Sequence, residues 1–282
     1  MSHTLILGKG FVGTKLKKYF DNIDSKCTLI GKNDLDYATP LNLINFIVKN
    51  KITTVVNCSG YTGVPNVDAC ELNKDLCWLY NVVIPNIITK VCKDLSVPCV
   101  HVSSGCIYTG YEKRFTERDI PNFGLFYKDS SFYSKTKHAF ETIADLDYAA
   151  ILRIRMPFTD ILEPKNYLYK IFKYNNLISF DNSLTNIDDL NNFIFKFIHN
   201  FKPGIYNVVN TESINAKHIV EMFKKHNMIN PSWSFVDIDK LDIIAGRSNC
   251  VLATDKICSM GLELSDTLTA VDRCIYNLSK HI

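Results

Sequence analysis

The chain reads as an α/β protein, a Rossmann-type doubly wound parallel sheet with a smaller C-terminal substrate-binding lobe. Three observations predict this. First, Thr4-Leu-Ile-Leu7 runs into Gly8-Lys-Gly10-Phe-Val-Gly13 and then into a helical pattern through Val12, Leu16 and Phe20. In that strand–loop–helix context GxGxxG is a dinucleotide fingerprint: glycines admit the pyrophosphate to the backbone, and the helix N-terminus favours its charge. Second, short apolar runs alternate with helical segments, which argues for parallel strands covered on both faces. Third, the residues with chemical potential fall at the ends of those runs, where such sheets bind ligands.

In chain order, the loop residues Gly8, Lys9, Gly10, Phe11, Val12 and Gly13 are the first expected cofactor contacts. The second strand, Cys27-Thr-Leu-Ile30, ends in Gly31-Lys32-Asn33. An acid at this point would hold a ribose 2′-hydroxyl, whereas a 2′-phosphate needs a cation. With Lys32 and no acid at 31–33, NADPH is the expected cofactor and NADH the alternative; an ordinary solvated lysine is the competing reading of Lys32. Asp36 is a candidate for the adenine edge. A helix around 41–50 leads to the third strand, Thr54-Val-Val-Asn57, with Cys58, Ser59 and Gly60 at its cofactor end. Within the helical stretch 72–93, Pro85 is expected to start or kink a helix.

The fourth strand, Val97-Pro-Cys-Val-His-Val102, carries Ser103 and Ser104 beyond it. A helix over 132–145 then presents Tyr133 and Lys137, four residues apart and so on one face. A free phenol has a pKa of ~10, and the neighbouring ammonium is expected to lower it into a useful range. Ser104 would donate to the same carbonyl oxygen. A fifth strand, Ala149-Ala-Ile-Leu-Arg-Ile154, precedes Arg155-Met-Pro157, where the strand–helix alternation stops. The cofactor domain is therefore placed at 1–156, with a returning segment near 181–209 whose last strand ends at Asn207. Residues 157–282 mainly form the substrate lobe.

The 282 residues, 46% hydrophobic, suit one large domain or two joined ones, and the net charge of +3 offers no basic stripe for nucleic acid. No apolar run approaches the ~20 residues of a membrane span, and a cytoplasmic protein is expected. Ten cysteines and seven histidines show no zinc-ligand spacing, so no metal is expected. Cys27, Cys58, Cys92 and Cys99 sit in apolar segments and read as reduced, buried thiols.

The glycine-rich start, Asn57-Cys-Ser-Gly60, Ser104 and Tyr133-x-x-x-Lys137 resemble an extended short-chain dehydrogenase/reductase. Tyr61-Thr-Gly-Val-Pro-Asn-Val-Asp-Ala-Cys-Glu71, Ser104-Gly-Cys-Ile-Tyr108, Arg153-Ile-Arg-Met-Pro157 and Gly246-Arg-Ser-Asn249 narrow the likeness. They are similar to the bifunctional UDP-4-keto-6-deoxyglucose 3,5-epimerase/4-reductases of UDP-L-rhamnose synthesis and, more distantly, to dTDP-4-dehydrorhamnose reductases. The resemblance covers almost the whole chain. It departs in the glycine loop, which is one residue shorter than the usual GxxGxxG, and in the loops after Tyr108 and before Tyr133.

The resemblance implies a UDP- or dTDP-linked 4-keto-6-deoxyhexose as partner and a homodimer. It also implies Cys106 as an acid/base group. Cys106 lies two residues beyond Ser104, so an extended strand end would point both the same way, and a thiol of pKa ~8.5 can exchange protons near neutrality. By the same resemblance Lys170 is its partner on the other face of the sugar, Arg247 a diphosphate clamp, and Asn166 a phosphate or sugar ligand. Asn81 would complete a proton relay behind Lys137, and Thr62 and Val64 would line the sugar and nicotinamide pocket. Two other readings stay open: a plain 4-reductase served by a separate epimerase, and a non-catalytic NADP-binding regulatory subunit.

Overall fold

The computed structural model describes residues 2–280. Six strands form one parallel sheet: β1 (Thr4–Leu7), β2 (Cys27–Ile30), β3 (Thr54–Asn57), β4 (Cys99–Ser104), β5 (Ala149–Ile154) and β6 (Gly204–Asn207). Their order is β6-β5-β4-β3-β1-β2, and every neighbouring pair is parallel. The order reverses at β1, which opens a crevice at the carboxyl ends of β1 and β3. Among the described residues no strand lies outside β2, unlike the larger 3-2-1-4-5-6 arrangement. Residues 31–39 make turns there instead.

The strands are mostly apolar because both faces of the sheet are covered, with polar residues such as Asn57, Ser103, Ser104 and Arg153 gathered towards their carboxyl ends. Side chains alternate between the two layers. Ile6, Val56, Val100, Ala150 and Leu152 pack with Leu16 and Phe20 of α1 (Phe11–Asn22). Leu5, Leu7, Val55, Cys99 and Ala149 pack with Leu43 and Ile47 of α2 (Pro40–Asn50) and with Ile88 and Val91 of α3 (Ile84–Asp94).

The helical stretch expected at 72–93 is divided into Ala69–Leu72, Lys74–Trp78, a π-helical turn Leu79–Val83 and α3. Pro85 explains the change of winding: it has no N–H to give the carbonyl four residues back, that of Asn81. The wider turn carries Asn81 itself, and such turns are frequent at functional sites.

Next come α4 (Phe132–Ile143), α5 (Tyr167–Lys173) and α6 (Ile187–His199). Leu190, Phe193 and Phe197 of α6 join the α1 layer, and β6 then pairs with β5, so the chain returns to the sheet after α5. A separate apolar cluster joins α5 to α7 (Ala216–Lys225) and α8 (Thr267–Ser279) through Leu168, Ile171, Phe223, Val271 and Ile275. This second cluster holds the wall of the site that faces the sheet. Among the described residues, no helix is long and apolar enough to cross a membrane, and no cluster of potential metal ligands occurs. All ten cysteines are free thiols.

Candidate active site

The glycine loop is built by close contacts. Gly8 adopts φ +104°, and a Cβ there would lie 2.7 Å from the Ser59 amide nitrogen. A Cβ on Gly13 would sit 2.0 Å from the Gly8 carbonyl oxygen, so the loop closes only with both glycines. Gly10, by contrast, has open space around it and leads into α1 with no side-chain cap. The first-turn amides of α1 are therefore left for a ligand, as an anion cradle requires. Two adjoining cavities meet at this loop. One, of about 520 Å³, is shared by Gly10, Phe11, Val12, Ser104, Tyr133 and Lys170. The other, of about 410 Å³, is bordered by Lys9, Lys32, Asp34, Tyr37 and Tyr80, and Cys58, Ser59 and Gly60 face both.

Tyr133 and Lys137 enter the larger cavity from the first two turns of α4, whose N-cap Ser131 accepts from the Ser134 amide. Ser104 arrives from the end of β4. The Lys137 ammonium lies 5.6 Å from the Tyr133 ring centre and makes no hydrogen bond or ion pair among the described residues. Burial lowers its pKa to about 8. Burial dominates Tyr133 too and raises its phenol well above the ordinary value, with the nearby Cys106 adding to this and Ser104 opposing it. The expected lowering of the phenol pKa by Lys137 is therefore overturned, because removing a phenolate from water costs more than the cation returns. Burial therefore favours the protonated form of the Tyr133 phenol. Ser103, which lines the same cavity, has a buried Oγ without a partner. An unpaired ammonium, an orphaned hydroxyl and an uncapped helix along one groove fit a dinucleotide's ribose and phosphates.

Cys106 also reaches this cavity, by a different route from the extended one expected. β4 ends at Ser104, and the chain turns at Gly105, so the Cys106 amide donates back to Ser104 Oγ at 3.2 Å. Lys170 enters from α5, on the lobe side. Burial lowers its pKa, and the positive charges of Lys165 and Arg247 add to the effect. A thiol from the sheet edge and a lysine from the lobe thus share one chamber with Ser104 and Tyr133.

Comparison with known proteins agrees with this fold. Residues 2–231 match the RmlD substrate binding domain. The chain belongs to that family. It is 32% identical over 267 residues to the Arabidopsis thaliana trifunctional UDP-glucose 4,6-dehydratase/UDP-4-keto-6-deoxy-D-glucose 3,5-epimerase/UDP-4-keto-L-rhamnose-reductase RHM1, covering 90% of this chain. The chain spans only 38% of that plant protein's length. The A. thaliana bifunctional dTDP-4-dehydrorhamnose 3,5-epimerase/dTDP-4-dehydrorhamnose reductase is 29% identical, covering 82% of this chain and 78% of the relative. The crystal structure of the L780 UDP-rhamnose synthase of Acanthamoeba polyphaga mimivirus superposes with a TM-score of 0.89. It is 24% identical and covers 98% of this chain and 99% of that one. The Bacillus anthracis dTDP-4-dehydrorhamnose reductase in complex with NADP gives 0.82 at 20% identity, with 97% and 98% covered. At these identities the two structures establish the fold.

Several expected site residues have other partners in this RmlD-family chain. Asn166 is fully buried as the N-cap of α5. Its Oδ1 accepts from Leu168 N–H and its Nδ2 donates to the carbonyls of Thr159 and Ile161, so it shapes the lobe and does not reach the cavity. Asn81 is likewise sealed from the cavity. Its amide clasps the Tyr61 backbone at 2.9 Å both ways and donates to Thr136 Oγ1 at 3.1 Å. A Cβ on Gly60 would lie 3.1 Å from Asn81 Oδ1 and 3.5 Å from Lys137 Nζ, so Asn81 stands behind Lys137 without touching substrate space. Val64 is 78% exposed and turned away, whereas Thr62 lines the chamber. Arg247 lines it too, but its terminal nitrogens already bind both oxygens of Asp68 at 2.9 and 3.0 Å.

At the adenosine end, Asp36 caps its own turn through Ala38 N–H and Thr39 Oγ1. The acid that faces the groove is Asp34, which accepts from Gly31 N–H at 2.6 Å and pairs with Lys9 at 2.7 Å. The tight turn at 31–34 brings it back to the strand end, a reach that residue order alone does not show. Lys32 lies 5.3 Å over the Tyr80 ring at the rim of the same groove. Lys165 also went unseen in the sequence: it crosses from the lobe to bind Thr62 Oγ1 at 3.0 Å and the Gly63 carbonyl at 2.5 Å. Its position just before α5 was the available signal.

Proposed function

We propose that the protein converts a UDP-4-keto-6-deoxyglucose to UDP-L-rhamnose by 3,5-epimerisation followed by NADPH-dependent reduction at C4. The observation that carries this reading is the single chamber that unites Ser104, Tyr133 and Lys137 with Cys106 and Lys170. Its plant relatives named for both the epimerase and the reductase activities support it.

Ser104 and Tyr133 donate to the C4 oxygen, which acidifies the hydrogens on C3 and C5. Cys106 from one wall and Lys170 from the other exchange those protons, and a pKa lowered by burial suits Lys170 to both giving and taking one. Bound NADPH supplies hydride to C4. Tyr133 then gives its phenolic proton to the new alkoxide, and Lys137 stabilises the charge left on the phenol. Lys165, Lys170 and Arg247, offset by Asp68, make a cationic wall suited to the sugar diphosphate. Lys9 and Lys32 at the groove rim support the 2′-phosphate of NADPH, against the pull of Asp34 towards NADH.

A reductase without epimerase activity is the second reading. It is favoured by the family match and by the superposition on structures named as dTDP-4-dehydrorhamnose reductases. The test is an NMR assay with UDP-4-keto-6-deoxyglucose and NADPH in D2O. Rhamnose carrying deuterium at C3 and C5 is the expected product; reduction without deuterium would leave the second reading. Cys106→Ala is expected to abolish deuterium uptake while leaving reduction of the epimerised ketone within about threefold.

A further inference from the structure

Two arginines leave the end of β5, and their surroundings differ sharply. Arg153 is buried against Glu141, with Nη2 2.6 Å from Oε2. Arg155 is 1% exposed, yet it forms no ion pair among the described residues. Its donors meet neutral acceptors: Nη1 reaches Ser248 Oγ at 2.9 Å and the Gly105 carbonyl at 3.3 Å. Nη2 reaches the Ser248 carbonyl at 3.1 Å and Asn182 Oδ1, while Nε has no partner. These contacts orient the fork without neutralising it, and a buried charge without a counter-ion is costly.

The remaining neighbour is Cys106, whose Sγ lies 3.6 Å from Nη1. Gly105 makes this approach feasible. A Cβ there would fall 3.3 Å from Arg155 Cγ and 2.6 Å from Leu252 Cδ1, so the glycine leaves the arginine stem room to pass under the turn. The other titratable groups facing Arg155 are Cys250, Tyr111 and Tyr167, and burial holds all three towards their neutral forms. On its cavity side Cys106 faces Tyr133 and Lys137. Of the groups around Arg155, Cys106 and Tyr167 line the substrate chamber, and the Tyr167 phenol is pushed up to about 12. Cys106 is therefore the chamber-facing side chain that the arginine fork itself touches, at 3.6 Å.

We propose that Arg155 is a positioning residue that holds Cys106 as a thiolate aimed into the chamber, its counter-charge in the resting state. The assignment rests on the epimerase reading above. The thiolate takes the proton from the carbon beside the ketone and becomes a thiol. The electron pair of the broken C–H bond moves into the enolate, whose oxygen Ser104 and Tyr133 hold. The Lys170 ammonium returns a proton to the carbon from the lobe side and becomes an amine, and exchange with solvent resets both groups.

The test compares wild type, Arg155→Met and Arg155→Lys by three readouts: iodoacetamide alkylation of Cys106 followed at the peptide level, deuterium uptake at C3 and C5, and reduction of the already epimerised ketone. In Arg155→Met, alkylation at pH 7 is expected to fall at least tenfold yet match wild type at pH 10. Deuterium uptake is expected to fall at least thirtyfold, with reduction within threefold. In Arg155→Lys, which keeps the charge without the fork, alkylation stays within threefold while deuterium uptake drops about tenfold. Unchanged alkylation in Arg155→Met, or exchange and reduction falling in parallel, would overturn the assignment. Should Arg155→Met fail to bind NADPH, Arg155→Lys decides: loss of both alkylation and exchange, or of neither, rejects it. A wild type that reduces but takes up no deuterium would sink the epimerase reading, while the alkylation comparison would still decide whether Arg155 and Cys106 are paired.

Discussion

Replacing Lys137 with methionine is expected to make the protein more stable and catalytically inert. The ammonium sits in a buried groove without a hydrogen-bonding partner among the described residues, and burial pulls its pKa from 10.5 to about 8. At about 1.4 kcal/mol for each tenfold change in proton affinity, holding this charge in the folded chain costs about 3 kcal/mol. The sign follows from which state keeps the proton. Below pH 8 both folded and unfolded chains are protonated at Lys137, and the full cost is present. Between pH 8 and 10.5 the folded chain has lost the proton and the unfolded chain retains it, so the cost fades as pH rises. Methionine has a similar shape and no charge. Urea unfolding, without added nucleotide, should therefore show Lys137→Met more stable by about 3 kcal/mol at pH 7 and by about 1 kcal/mol at pH 9.5. A variant that is less stable at pH 7, or a difference that does not change between the two pH values, would contradict this account. On the proposed mechanism, the wild-type protein bears this cost because the same charge serves beside Tyr133.

Glu141→Gln removes the counter-ion of buried Arg153 and is expected to cost about 3–5 kcal/mol in denaturant unfolding; a loss under about 1 kcal/mol would contradict a tight pair. Gly13→Ala places a Cβ 2.0 Å from the Gly8 carbonyl, so NADPH affinity by fluorescence titration should weaken more than tenfold, and unaltered binding would mean the loop is not the cradle. Tyr133→Phe should lower reduction about 10²–10⁴-fold with NADPH binding kept, followed by absorbance at saturating cofactor. Asn166→Ala should lower stability by about 1 kcal/mol as a lost helix cap without changing KM for the sugar, and a selective rise in KM would return it to the substrate site.

Elements set by local pattern were legible in the residues. The strands at 4–7, 27–30, 54–57 and 149–154 are as the apolar runs predict, and the fourth is displaced to Cys99–Ser104. The residues around Pro98 do not by themselves decide where pairing with β5 begins; the register Cys99↔Ala149 does. The Tyr133–Lys137 face was equally legible, because residues four apart on a helix share a side whatever lies around it. The electrostatics of that pair were not. Proximity of the cation was visible in the spacing, but the depth of burial that outweighs it for Tyr133 belongs to the packed molecule.

Order along the chain was enough to set the strand–loop–helix start, the alternation that makes a parallel sheet and the residue types delivered to its carboxyl edge. These follow from periodicity and backbone preference, which act over a few residues. Which polar groups are free to do chemistry was settled only by packing. It commits Asn166 to the start of α5, pairs Arg247 with Asp68, folds Asp34 back onto Gly31, and leaves Arg155 without an acid but against Cys106. A hydrogen-bonding group is satisfied by whatever the fold places within about 3 Å, however distant in sequence, and that choice is made in three dimensions.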